Sequence, residues 1–297
     1  MEVIKGLDFK IENSAVSLGK FDGFHRGHRL LLERIREQEN LHATVFTFDG
    51  ILKGKQIYRE EEKRYLLERL GVEREILFPF CDETRSMTPE AFIREMLVER
   101  MDAKLICVGE DFRFGKERRG DVNMLSEYAE KYGYDLCVLP KMKEDGEVIS
   151  STRIRGELAR GNIETANRLL GDPYFVGGTV VHGNALGRTI GIPTANLLPG
   201  EQKLLPAYGV YATRVEVDGK TYGGVTNVGV KPTVGADQAN VETTLLHFDG
   251  NLYEKQMRVS FLHFLRPEQR FDGLDELKAQ ISRDKETAER LLPETRQ

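Results

Sequence analysis

Gly19-Lys20-Phe21-Asp22-Gly23-Phe24-His25-Arg26-Gly27-His28 sets two of the chain's six histidines three residues apart, among glycines. The stretch follows a short apolar run, Ala15-Val16-Ser17-Leu18, and opens a helix-period segment, Arg29 to Glu39. A strand passing through a tight turn into a helix begins an open α/β sheet, and such sheets bind ligands beyond the carboxyl ends of their strands. Gly19, Gly23 and Gly27 let the backbone turn sharply and approach a ligand closely. Gly27-His28 sits at the helix start, whose free amides and dipole attract anions. Two imidazoles there can donate hydrogen bonds to phosphate oxygens as negative charge builds during displacement. Zinc is a rival reading, although neither H-E-x-x-H nor a cysteine partner accompanies the pair. An inert turn is a third.

Working outward, the same alternation continues to about residue 150. Apolar runs at Ala43–Phe48, Glu75–Phe78, Lys104–Val108 and Asp135–Leu139 alternate with helix-period segments at Glu60–Leu70, Pro89–Met101 and Val122–Tyr132. In the second of these segments Phe92, Met96, Leu97 and Met101 trace one face, and Pro89 stands where a first turn tolerates it. Continuous apolar strands alternating with helices predict a Rossmann-like parallel sheet with helices on both faces. A helical stretch, Arg153 to Leu170, follows and is closed by Gly171 and Pro173.

Beyond Gly171 the pattern becomes β-rich. Val176–Val181, Val210–Val217, Lys220–Val228, Val241–Phe248 and Gln256–Phe264 read as strands, with hairpin turns at Asp218-Gly219 and Asp249-Gly250-Asn251. Leu274–Leu291 reads as an amphipathic terminal helix. The second half is therefore expected to be an antiparallel β-barrel or sandwich with a terminal helix. The chain of 297 residues exceeds the size at which one core keeps growing. The domains expected are residues 1–170, with the linker helix, and 171–297.

A formal net charge of −5 argues against a nucleic-acid or anionic-membrane binder. Cys81, Cys107 and Cys137 show no CxxC spacing and lie in or beside apolar runs, so buried free thiols in a reducing compartment are expected. The amino-terminal segment lacks a signal-peptide apolar core, and no apolar run approaches a membrane span. A soluble cytoplasmic protein is expected.

Four further stretches carry chemistry. Val108-Gly109-Glu110-Asp111-Phe112-Arg113-Phe114-Gly115-Lys116 leaves a strand with glycines and aromatics suited to a flat ring. Ser150-Ser151-Thr152-Arg153-Ile154-Arg155 opens a helix with three hydroxyls and two guanidiniums, either a triphosphate clamp or an N-cap with solvated arginines. Gly183-Asn184-Ala185-Leu186-Gly187-Arg188-Thr189-Ile190-Gly191-Ile192-Pro193-Thr194-Ala195-Asn196 is glycine-dense but is no Walker loop. If extended, it turns Thr194 and Asn196 to one face as hard oxygen donors that suit Mg²⁺ carried with nucleotide phosphates. Glu242, in Val241-Glu242-Thr243-Thr244, is either a surface-facing strand residue or a base for a substrate hydroxyl.

Taken together, GxFDGxHxGH, VGxDFxFG and SSTxIR resemble the FMN adenylyltransferase module of the bacterial bifunctional riboflavin kinase/FAD synthetase family. One departure is Thr47-Phe48-Asp49-Gly50-Ile51-Leu52, where many members carry a proline-containing T-F-x-P-x-P run. GxxLGRxxGxPTAN, Gly209-Val210-Tyr211-Ala212, Asn227 to Thr233, Val241-Glu242-Thr243 and Leu265-Arg266-Pro267-Glu268 resemble the family's riboflavin kinase module. The resemblance implies that Thr194 and Asn196 bind Mg²⁺–ATP, that Glu242 is the catalytic base and that Arg266 belongs to a loop closing over flavin. It further implies that His25 and His28 stabilise charge on the phosphates, and that Ser151, Thr152, Arg153 and Arg155 clamp the triphosphate. Gly19, Phe21, Asp22, Gly23, Gly27, Asp111, Phe112, Gly183, Gly187, Arg188 and Asn227 fall in the matched stretches as nucleotide- or flavin-binding positions.

The implied function is phosphorylation of riboflavin to FMN by the second half and adenylylation of FMN to FAD by the first. The partners expected are riboflavin, FMN and ATP, with no nucleic acid, no membrane and at most weak self-association. Two alternatives stay open: an enzyme with one active module, the kinase, and a non-catalytic flavin sensor. The histidine pair and Glu242 weigh against the sensor, since binding alone needs no general base.

Overall fold

Strands that are apolar on both faces need helices on both sides, and the first half of the chain supplies them in alternation. The computed structural model describes residues 1–50, 54–182, 193–233 and 236–292. By internal contacts the chain forms two units, one of Met1–Gln56 and Glu60–Ser150, the other of Ile57–Arg59 and Ser151–Gln297.

The first unit holds β1 (Glu2–Lys5), β2 (Ser14–Leu18), β3 (His42–Asp49), β4 (Arg74–Pro79), β5 (Ala103–Gly109) and β6 (Asp135–Leu139), in sheet order β1-β4-β3-β2-β5-β6. Every pairing in this sheet is parallel. β2 is buried along its whole length, as a central strand covered on both faces must be. From β2 the chain moves to β3 on one side and later to β5 on the other. The topological switch therefore lies between β2 and β5, at the carboxyl edge where Gly19 begins its turn. β1 was not legible as a strand: EVIK is too short to show a period, and its pairing with β4 defines it.

Phe92, Met96, Leu97 and Met101 are all buried, as their shared face predicts. The helix starts at Pro89–Ala91, capped by the Thr88 hydroxyl, and continues over Phe92–Arg100 with i→i+5 bonds. Intervals of four and five residues between Phe92, Met96 and Met101 suit that wider turn.

Glu75, on β4, is buried at 2 % exposure, 3.9 Å from the Arg64 guanidinium. Burial, reinforced by Glu60, raises its carboxyl from the ordinary 4.5 to about 7 against the pull of Arg64. The unfolded chain then ionises first, so stability falls as pH rises from 4.5 through 7, by at most about 3 kcal/mol. Glu75→Gln removes that decline. The variant's thermal midpoint relative to wild type is expected to improve between pH 4.5 and pH 8; an unchanged difference would show that Glu75 titrates normally.

The second unit is antiparallel. Its strands are β9 (Phe175–Thr179), β10 (Ala195–Leu197), β11 (Gly209–Val217), β12 (Lys220–Thr233), β13 (Ala236–Leu245) and β14 (Gln256–Arg266), after a small hairpin of β7 (Lys143–Glu144) and β8 (Glu147–Val148) in the first unit. Their order is β10-β13-β12-β11-β14-β9, and the Val181 amide donates to the Asn196 carbonyl at 2.9 Å. That contact brings the two ends of the sheet together as a nearly closed barrel. Asp218 and Gly219 both take positive φ, 51° and 73°, the geometry of a two-residue hairpin. Asp249-Gly250-Asn251 instead lies within a longer connection, because β13 ends at Leu245 and β14 starts at Gln256.

The terminal helix is Leu274–Leu291, with the bounds read from the sequence. The linker stretch resolves into two helices, Ser151–Arg160 and Ile163–Leu170. Gly161 interrupts them at φ +78°, where a Cβ would stand 3.3 Å from the Ala207 methyl. Gly171 closes the second helix in the left-handed conformation, as its position before Pro173 predicts. All three cysteines are free, but only Cys107 is fully buried. Cys81 is exposed, contrary to expectation, because it caps the short helix Asp82–Ser86 in the loop beyond β4. Among the described residues no helix is long and apolar enough to cross a membrane.

Candidate active sites

In the first unit His25 is the extended N-cap of the helix Arg26–Arg36, and its Nδ1 accepts from the His28 backbone amide at 3.4 Å. The two imidazoles stack with centroids 3.7 Å apart, and Phe21 lies 5.3 Å from the His28 ring. This approach depends on Gly27, where a Cβ would sit 3.3 Å from the His25 ring. Phe21, Gly23 and Phe24 hold φ of 45°, 96° and 44°. Two non-glycine residues in the left-handed region are costly, and surrounding packing must hold them there. Both phenylalanines are buried and stack on one another, which supplies that packing.

Burial lowers the His25 imidazole to about 4, with buried Asp22 pulling it partly back up. Burial likewise holds His28 well below its ordinary 6.5, and the neighbouring His25 adds to the effect. Both rings are therefore neutral at pH 7, each with one N–H to donate. Since His25 Nδ1 accepts, its proton is on Nε2. His28 Nδ1 is buried without a hydrogen-bond partner.

β5 is the hydrogen-bonded neighbour of β2, so the loop after Gly109 leaves the sheet beside the histidine loop. Phe112 stacks on Phe114, which is buried in the core and exchanges two backbone bonds with Gly120. Asp111 is exposed and pairs with Lys141 at 2.9 Å. The structure thus sets the turn of Gly19, Phe21, Asp22, Gly23 and Gly27 and the turn of Asp111 and Phe112 on the two strands that flank the switch. Ser151, Thr152, Arg153 and Arg155 form the start of the helix Ser151–Arg160, which belongs to the second unit and buries Ile154 and Leu158. Ile51 and Leu52, in the departing loop, lie outside the described residues.

In the second unit three strands converge on Glu242. Asn196 of β10 is its cross-strand partner on one side and Asn227 of β12 on the other. The Thr194 hydroxyl donates to Glu242 Oε1 at 2.6 Å. Asn196 is buried, and its Oδ1 accepts from Asn240 at 3.1 Å. Glu242 is half-buried, not a freely solvated strand residue. On the other face of the pleat Thr213, Thr226 and Thr243 form a buried hydroxyl chain with steps of 2.8 and 2.9 Å, which the sequence showed only as a threonine-rich run.

Asn227 also donates to Glu268 Oε1 at 3.2 Å, so the LRPE stretch borders this cluster. Arg266 bonds Asp284 through Nε at 3.1 Å and Nη2 at 2.8 Å, and Gln280 completes the carboxylate's partners. Its guanidinium therefore anchors the terminal helix, a role that no residue spacing announced. Gly183, Gly187 and Arg188 lie outside the described residues.

Comparison with known proteins agrees with this geometry in both units. The FAD synthetase family model matches residues 8–153 and the riboflavin kinase family model matches residues 170–292. Among curated relatives, the bifunctional riboflavin kinase/FMN adenylyltransferase of Escherichia coli (strain K12) is 39% identical over 290 residues, covering 93% of this chain and 92% of the relative. The enzyme of the same description from Haemophilus influenzae is 35% identical, covering 97% and 98%. That from Bacillus subtilis is 34% identical, covering 95% and 94%. A crystal structure described as a macrolide-efflux protein from Streptococcus pneumoniae superposes with a TM-score of 0.86 at 31% identity, covering 97% of this chain and 99% of that one. The chain belongs to the family of bifunctional riboflavin kinase/FMN adenylyltransferases.

Proposed function

We propose that this chain makes FAD from riboflavin in two ATP-dependent steps, with phosphorylation in the barrel and adenylylation in the parallel-sheet unit. The observation that carries the reading is the register of β10, β13 and β12, which flanks Glu242 with Asn196 and Asn227 and brings the Thr194 hydroxyl to 2.6 Å. A carboxylate so held takes the proton of the riboflavin ribityl hydroxyl as that oxygen bonds to the γ-phosphorus of ATP. The bond to the β,γ-bridging oxygen breaks, and ADP leaves. Thr194 Oγ1 and Asn196 Oδ1 are hard neutral oxygens beside a carboxylate. Such a set suits Mg²⁺, which keeps most of its waters and phosphate ligands. Bound with ATP, Mg²⁺ would neutralise charge on the phosphates. Gly183, Gly187 and Arg188 are assigned to the nucleotide by motif alone.

In the other step an FMN phosphate oxygen attacks the α-phosphorus of ATP and pyrophosphate leaves. The nucleophile is already ionised, so the site needs donors more than a base. Neutral, stacked His25 and His28 at a helix N-terminus supply them, and Asp22 steadies His25. Phe112 is assigned to the flat ring. Ser151, Thr152, Arg153 and Arg155 are assigned to the triphosphate and Arg266 to flavin closure, again by motif. The catalytic domains are taken as residues 1–170 and 171–297, with the helices Ser151–Arg160 and Ile163–Leu170 as the joint. The cytoplasm, which supplies ATP and keeps three free thiols reduced, is the proposed location. Weak self-association is part of the proposal.

The test is purified protein with riboflavin, ATP and Mg²⁺, the products being separated by chromatography. FMN followed by FAD is expected. FMN without FAD would overturn the adenylyl-transfer half, and neither product would overturn the enzyme reading.

A further inference from the structure

The face of β13 that carries Glu242 holds a second polar side chain, one that no motif marks. Asn240 stands two residues before Glu242, and residues two apart on a strand point to the same face. It is 4 % exposed. Asn196 pairs with Glu242 across the ladder, which makes Asn240 the diagonal neighbour of Asn196. One hydrogen bond spans that diagonal, Asn240 Nδ2 donating to Asn196 Oδ1 at 3.1 Å.

The other end of the same amide is orphaned. Asn240 Oδ1 is buried and has no hydrogen-bond partner among the described residues. A buried carbonyl oxygen left unsatisfied costs free energy, and native proteins keep few of them without a reason. The polar side chains that share this face are poorly placed to supply a donor. Gly229, the partner of Asn240 on β12, has no side chain, and a Cβ there would collide with the Glu268 carboxylate. Glu242 is itself an acceptor and takes the Thr194 hydroxyl. Asn227 turns its Nδ2 towards Glu268.

A ligand that brings the donor must suit these surroundings, which narrows its chemistry. Glu242 along the strand and Glu268 across it repel an anion and favour a cation. Mg²⁺ gives up its waters reluctantly, and the metal polarises those it keeps into strong donors. An uncharged amide oxygen fixed on a strand can accept from such a water and so orient the ion.

We propose that Asn240 is a positioning residue of the phosphoryl-transfer site, holding the Asn196 amide for the cation and accepting, through its own Oδ1, from a water that Mg²⁺–nucleotide carries in. The inference rests on the kinase reading given above. Asn240 acts on the cation's water and not on the reacting atoms. Its loss therefore weakens nucleotide binding in ground and transition states alike and leaves kcat nearly unchanged.

The test titrates ADP into the full chain by calorimetry, once with Mg²⁺ and once with EDTA, and follows riboflavin phosphorylation in parallel. Asn240→Leu keeps the bulk and removes both ends of the amide. It is expected to raise Kd for Mg²⁺–ADP roughly tenfold, with metal-free ADP bound within about twofold of wild type. KM for ATP should rise by a similar factor, while kcat stays within about threefold. Damage to the barrel at large would weaken both forms of the nucleotide equally, and that outcome would overturn the proposal. So would an unchanged Kd for Mg²⁺–ADP in a folded variant. Asn240→Ala, which admits a water where the amide stood, is expected to lose less, and it decides the matter if Asn240→Leu does not fold. If wild-type protein neither binds Mg²⁺–ADP nor phosphorylates riboflavin, the kinase reading itself fails and the role of Asn240 falls with it.

Discussion

Glu242→Gln is expected to lower the kcat of riboflavin phosphorylation about 10²- to 10⁴-fold, the usual contribution of a general base. FAD formation from supplied FMN should be unchanged. The side chains are isosteric, and the glutamine carbonyl can still accept the Thr194 hydroxyl that now bonds Glu242 at 2.6 Å. The strand register with Asn196 and Asn227 is a backbone property and survives the change. What disappears is the ability to take up a proton. Steady-state kinetics of the two half-reactions, each started from its own flavin, makes the comparison. If phosphorylation falls by less than about tenfold, Glu242 holds substrate or Thr194 and another group is the base.

His28→Ala should have the complementary effect, a loss of about 10²- to 10³-fold in FAD formation, as for removal of one preorganised donor. Phosphorylation should be spared. His28 is half-buried and packs against His25 and Phe21, so alanine also leaves a gap beside the His25 ring. His28→Asn separates the two causes, since it keeps a donor without the ring. Partial recovery of FAD formation by asparagine identifies donation as the lost function. Equal loss in both variants, at retained folding, would mean that stacking matters and that donation to phosphate does not. Equal loss of both activities in either variant would break the assignment of the two steps to two units.

The local grammar of this chain was legible without coordinates wherever one interaction range decided the outcome. The face of Phe92, Met96, Leu97 and Met101, the stop at Gly171 before Pro173, the Asp218-Gly219 turn and the bounds of Leu274–Leu291 all follow from periodicity and backbone preference within a few residues. The candidate site residues stood out because histidine pairs among glycines and a carboxylate in an apolar strand are conspicuous as residue types. Less was legible where pairing or burial decided. β1 exists because β4 offers it an edge, and Cys81 is exposed because a short helix begins at it.

Residue order alone determined that a parallel α/β unit precedes an antiparallel barrel, since this depends on period, and it marked out candidate side chains by their functional groups. Folding in three dimensions decided how those groups are set. It made both histidines neutral by burying them, and it turned Arg266 towards Asp284. It also carried Ile57, Tyr58 and Arg59 into the core of the other unit beneath Lys203. Burial and the meeting of residues 146 positions apart depend on how the whole chain packs, and no window of sequence contains both partners.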